Sequence, residues 1–125
     1  MDDAARIYIN NKFMMEAVKV YILAEKYDVQ PLKLYALKNF QLSLSKGYAV
    51  ELDTFLACVT LMYTETPDSD RRLKDAMMNW VSKQSLEIVE KIMKSSDFAT
   101  ACLEDPHVGL EFREMRTQME VRSME

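Results

Sequence analysis

The chain has 125 residues, 49% of them hydrophobic and 29% charged, with a formal charge of −4. That length suits one domain with its own core, and the net acidity speaks against a phosphate-binding surface, which needs clustered Lys and Arg. Two Gly and three Pro are few breakers, so long helices with short joints are expected.

Residues 1–15 read as a lead-in. Within it Arg6-Ile7-Tyr8-Ile9 alternates enough for a strand, but a lone strand would have no partner, so helix is the reading preferred. From about Phe13 to Tyr27, apolar residues recur at three- and four-residue steps (Met14, Ala17, Val18, Tyr21, Ile22, Leu23), which predicts a helix. Asp28-Val29-Gln30-Pro31 ends it, because the residue before a proline is driven out of the helical region while Pro suits the first turn of a new helix. Tyr27 and Leu32 are expected to pack across this joint. The second helix carries Leu32, Leu34, Tyr35, Leu37, Phe40 and Leu44, and Gly47 offers a left-handed cap.

A third helix fits Leu52–Tyr63. Thr66, Pro67, Asp68 and Asp70 then supply capping oxygens and a proline for the start of a fourth, which runs through Leu73, Met77, Trp80 and Val81 to about Ser82 or Gln84. Ser85 caps a fifth over Leu86–Met93. Ser95-Ser96-Asp97 cap a short sixth, Phe98 to Leu103, and Asp105-Pro106 interrupts the chain. The stretch from 111 to 125 alternates Glu and Arg with Met and suits a charged tail helix that frays. The fold expected is all-α, a single domain of six to seven helices packed as antiparallel hairpins with no substantial sheet, its body over residues 16–110.

Chemistry is sparse in this pattern. His107 is the only histidine, beside Asp105-Pro106 at a helix start, where a surface or capping role outweighs catalysis. Cys58 and Cys102 lie in helical segments, make no disulfide framework and have no zinc-ligand spacing. Asp68 and Asp70 lack the Gly and Glu of a calcium loop, and acids in a first helical turn need no metal to explain them. Arg71-Arg72-Leu73-Lys74 is basic but flanked by Asp68, Asp70 and Asp75. No cofactor, metal, nucleic acid or membrane is expected. No apolar run is long enough to cross a bilayer and no secretory signal leads the chain, so an intracellular location, cytoplasmic or nuclear, is the expectation. The ten methionines are the compositional oddity. Core filling is the plainer reading; an adaptable partner surface is the sharper one. Met14, Met15, Met78, Met115 and Met119 exceed what the core pattern requires and are the candidate interface.

The run Val20-Tyr21-Ile22-Leu23-Ala24-Glu25-Lys26-Tyr27-Asp28-Val29, then Pro31-Leu32-Lys33 and Ala36-Leu37-Lys38-Asn39-Phe40, resembles the last two helices of the core in fungal BTB/POZ domain proteins. Tyr63-Thr64-Glu65-Thr66-Pro67-Asp68-Ser69-Asp70-Arg71-Arg72-Leu73-Lys74-Asp75 is similar to a stretch that follows that core, in the same order. The resemblance spans about residues 16–104. It implies a non-enzymatic protein–protein interaction module, often an adaptor and in some members a substrate receptor for cullin-type ubiquitin ligases. The strand-rich half that opens such a domain, and carries the cullin-contacting loop, has no match here. The chain is therefore expected to correspond to the C-terminal part of such a protein. The partner expected is another protein or a second copy of the chain, the alternative function being a self-assembling homodimer that covers leftover apolar surface.

Overall fold

The computed structural model describes residues 2–124, and all of their side chains except that of Tyr48. Asp2 starts the first helix by accepting a hydrogen bond from the Ala5 amide at 2.7 Å, with Asp3 favourably placed against the helix dipole. α1 then runs unbroken over Asp3–Lys26. The lead-in expected over residues 1–15 is thus the first half of this helix, and Arg6 to Ile9 are helical. Met1 and Glu125, the outer ends of the expected lead-in and tail, lie outside the described residues.

The remaining elements are α2 (Gln30–Leu44), a 3₁₀ turn (Gly47–Ala49), α3 (Leu52–Glu65), α4 (Arg72–Ser82), α5 (Leu86–Met93), α6 (Ser96–Glu104) and α7 (Pro106–Ser123). No strand occurs among the described residues, so the all-α expectation holds. Ser85 and Ser95 cap α5 and α6 as expected, their hydroxyls accepting from the Ile88 and Phe98 amides at 3.2 and 3.1 Å. Asp105 caps α7 by accepting from the His107 amide at 2.9 Å, with Pro106 in the first turn.

α1 and α2 form an antiparallel hairpin that packs on α3, and α3 in turn meets α4, α6 and α7. Met14, Val18, Tyr21, Phe40, Phe55, Val59 and Met62 fill the interior between them. At the other end Phe98 and Phe112 meet edge-on, 5.1 Å between ring centres, and Trp80 covers Phe55 at 5.2 Å. α7 is not a frayed tail. Val108, Phe112, Met115 and Met119, at three- and four-residue steps, are all buried and place it in the core.

Gly47 supplies no left-handed cap, because α2 ends on Ser45 in right-handed geometry and the chain continues into the 3₁₀ turn. Two asparagines of α1 hold that turn. Asn11 donates to the Ala49 carbonyl at 2.6 Å and accepts from the Glu51 amide at 2.9 Å, while Asn10 donates to the Ser43 carbonyl at 3.2 Å. The left-handed residue is instead Asp28, φ 54°, in the α1–α2 joint, a conformation that Asp tolerates through its short polar side chain.

Ala24 is buried where α1 meets the start of α2, its carbonyl accepting from the Val29 amide at 2.9 Å. Ala24→Leu should therefore lower stability by about 1–3 kcal/mol through overpacking, read as a drop in thermal midpoint. An unchanged melt would contradict the close approach.

Candidate functional site

Most of α2's buried face is apolar: Ala36, Phe40 and Leu44 recur every four residues. Lys33 occupies the same stripe. Its ammonium cannot be left unpaired in that setting, and it is met from two other elements. Glu25 of α1 pairs with it directly, and Asp70, just before α4, lies 2.9 Å away. The Tyr21 hydroxyl donates to Asp70 at 2.7 Å, and the Lys33 ammonium sits 5.2 Å from the Tyr21 ring centre. Burial pushes Lys33 toward neutrality, but hydrogen bonds to Glu25 and Asp70 outweigh it and hold its pKa above the ordinary lysine range. Burial likewise raises Asp70, yet Lys33, Tyr21 and the Arg72 amide together keep its carboxyl below the usual carboxylate range.

Arg71 faces the other way. It forms a two-armed hydrogen bond to Glu111 of α7, at 2.7 and 3.0 Å, and Tyr63 of α3 donates to the same carboxylate at 2.7 Å. Burial raises Glu111, while the bonds from Arg71 and Tyr63 bring it below its ordinary value. Asp75 also pairs with Arg71, and Lys74 is buried, donating to the Pro67 carbonyl at 3.1 Å. The basic cluster seen in the sequence is thus largely consumed internally; Arg72 alone of the three cations is exposed.

These contacts correct the expected helix start. Thr66 closes α3, its hydroxyl donating to the Met62 carbonyl at 2.5 Å. Pro67 lies in the intervening turn and Asp68 is exposed, while α4 begins only at Arg72. Asp70 keeps one helix-start contact, accepting from the Arg72 amide at 3.2 Å; its main role is to receive Lys33 and Tyr21.

The joint is corrected too. Tyr27 and Leu32 do not pack across it; they are 68% and 38% exposed. Backbone bonds close the turn instead, from Asp28 to Glu25 and from Val29 to Ala24, with Gln30 donating to the Asp28 carboxylate at 3.1 Å. Pro31, at the start of α2, is exposed. Beside the joint an open groove of about 550 Å³ is lined by Glu25, Gln30, Lys33, Asp70 and Arg72. Lys33 and its two carboxylates already satisfy one another there, and no metal-binding group of three or more His, Cys, Asp or Glu occurs among the described residues.

The methionine interface is largely overturned. Met14, Met115 and Met119 are buried in the core, and Met15 and Met78 are half-buried against it. Their spacing with neighbouring Val and Phe residues makes them filling, for which the flexible thioether is well suited. Burial pushes the Cys58 thiol up to about 12 and raises Cys102, which disfavours the reactive thiolate. His107 is exposed, with Nδ1 2.9 Å from Asp105.

Exposed apolar surface lies elsewhere. Among the described residues, nine of the fourteen large apolar side chains that face solvent belong to the α1–α2 hairpin. On α2, Leu34, Tyr35 and Leu42 are 53%, 62% and 52% exposed. With Lys38 they fall within about 100° of the helix circumference, opposite the buried stripe. Leu23 and Tyr27 extend the exposure along α1. Half of this was legible: the apolar residues expected on this helix include Leu34 and Tyr35, and at about 100° per residue each stands one step from Lys33 or Ala36 and so points away from the buried stripe.

Comparison with known proteins returns no matching family model, no matching curated protein and no matching solved structure.

Replacing Lys33 by Met leaves the largely covered Asp70 carboxylate without its cation, and should cost about 3 kcal/mol in a denaturant titration, the low end for a buried pair. Glu25→Gln, which leaves the Asp70 contact in place, should cost about 1 kcal/mol. Equal losses from the two would contradict this ranking. Asp70 and Glu111 have folded pKa values below their unfolded ones, so their contribution is present above the ordinary carboxylate range and is lost as pH falls through the folded values. Stability should accordingly decline as pH falls below about 4, and the decline should be shallower in Asp70→Asn.

Proposed function

We propose that this chain is a helical protein–protein interaction module with an adaptor or scaffold role and no catalysis of its own. The observation that carries the reading is the segregation of exposed apolar side chains onto the α1–α2 hairpin. On α2, Leu34, Tyr35 and Leu42 share one side, and apolar side chains grouped in this way mark interaction sites, whereas isolated ones need no explanation. The polar clusters point the same way. Their ionised groups are paired across helices to hold the fold, and the cysteines sit where burial suppresses the thiolate. The resemblance of Val20–Phe40 and Tyr63–Asp75 to segments of fungal BTB/POZ proteins fits such a role, and Lys33, Asp70 and Arg71 within those segments serve the scaffold here.

The test is a photo-crosslinking residue placed at Tyr35, with a control at Thr117 on the exposed side of α7. A discrete adduct is expected at Tyr35 with a protein identified by mass spectrometry. It should disappear in Leu34→Glu/Leu42→Glu, which alters exposed positions only and should leave the thermal melt in place. Equal adducts at Tyr35 and Thr117, or none at Tyr35, would overturn the reading.

A further inference from the structure

We infer that the outer face of α2 docks an amphipathic helix of a partner protein whose apolar stripe is flanked by carboxylates. This deepens the interaction-module reading and rests on it.

Charge supplies the first argument. Residues 1–50 hold seven Lys and Arg against five Asp and Glu, whereas residues 51–125 hold nine against fifteen. The hairpin is therefore the basic part of an acidic protein. Val29 to Val50 contain no carboxylate at all, only Lys33, Lys38 and Lys46. Lys33 is neutralised by Glu25 and Asp70. Lys38 stands exposed between Leu34 and Leu42, one helical turn from each. On α1, Lys26 is exposed beside Tyr27, whereas Lys12 and Lys19 lie by Glu16 and Glu51 on the side facing α3. An apolar strip with an exposed lysine at its centre, on a helix without a carboxylate, complements leucines or aromatics accompanied by Glu or Asp.

The shape of the occupant follows from the fold. An extended peptide gains most of its affinity by adding a strand to a sheet edge, and none exists among the described residues. A helix satisfies its own backbone and can lay an apolar face on a helical surface. Leu34, Tyr35, Lys38 and Leu42 repeat at the three- and four-residue spacing that another helix matches.

A second copy presenting the same face is disfavoured. A two-fold axis through this strip places Lys38 near its own counterpart with no acid on either α2 to separate them. Like charges so placed oppose association and select against it.

Two fluorescently labelled helical peptides serve as probes. They share one leucine stripe, flanked by glutamates in the first and by lysines in the second. Anisotropy titrations against the full chain should show the glutamate peptide binding about tenfold more tightly at low salt, with the gap narrowing as salt is raised. Lys38→Glu should reverse the preference, and the distant Lys91→Glu should not. Equal binding of the two peptides, no binding of either, or an unchanged preference in Lys38→Glu would overturn the inference. So would a concentration-dependent dimer in light scattering that is dispersed by Leu42→Glu. A partner crosslinked at Tyr35 that the glutamate peptide fails to displace sinks this inference and spares the interaction module; absence of any Tyr35 adduct sinks the module itself.

Discussion

The architecture depends on placing one ammonium group where the helical pattern calls for a hydrocarbon. Lys33 lies on the buried stripe of α2, so α2 can pack only where a carboxylate waits. Glu25 provides one from the same hairpin. Asp70 provides the other from far along the chain, and Tyr21 orients it. A buried ion pair of this kind adds little over a well-packed apolar pair, but it penalises any packing that separates its members. It thereby fixes how the hairpin sits against the start of α4.

Asp70 and Arg71 are consecutive and opposite in charge, and they reach in opposite directions. Asp70 engages the hairpin, while Arg71 engages Glu111 of α7 and, through that carboxylate, Tyr63 of α3. The short segment between α3 and α4 thus connects the first and last helices of the domain through charged and hydrogen-bonded side chains. Each carboxylate has both a cation and a phenol, an arrangement that satisfies its lone pairs and offsets the cost of its burial.

The helices were legible where local chemistry fixes them. Ser85 and Ser95 precede short amphipathic runs and cap them; Pro106 follows a capping Asp. The errors arise where a distant contact decides. α1 reaches back to Asp3 because Asp2 caps it and the 3₁₀ turn needs Asn10 and Asn11 beside it. Thr66 to Asp70 look like a helix start since the same oxygens that cap a helix can end the preceding one or receive a lysine. The misplaced methionines have a simpler cause. Met115 and Met119 continue the Val108 and Phe112 stripe, and the Glu/Arg alternation around them is the solvent side of the same helix. Lys33 carries a sharper signal: it shares the spacing of Ala36, Phe40 and Leu44, and a cation there announces an acid partner.

α2 is apolar on two sides, and one fold can cover only one of them. Its inner side is covered by α1, α4 and the core they share. The outer side, with Leu34, Tyr35 and Leu42, remains uncovered at a free-energy cost that a solvent-facing helix has no folding reason to bear. The Lys33 cluster bears on the docking proposed for that side. With the helix anchored at Glu25 and Asp70, its outer residues keep their spacing before anything binds. A surface held in this way loses little conformational freedom when covered, so more of the contact energy appears as affinity. The buried lysine that specifies the packing of α2 therefore also preorganises its exposed face, and the two sides of one helix are energetically linked.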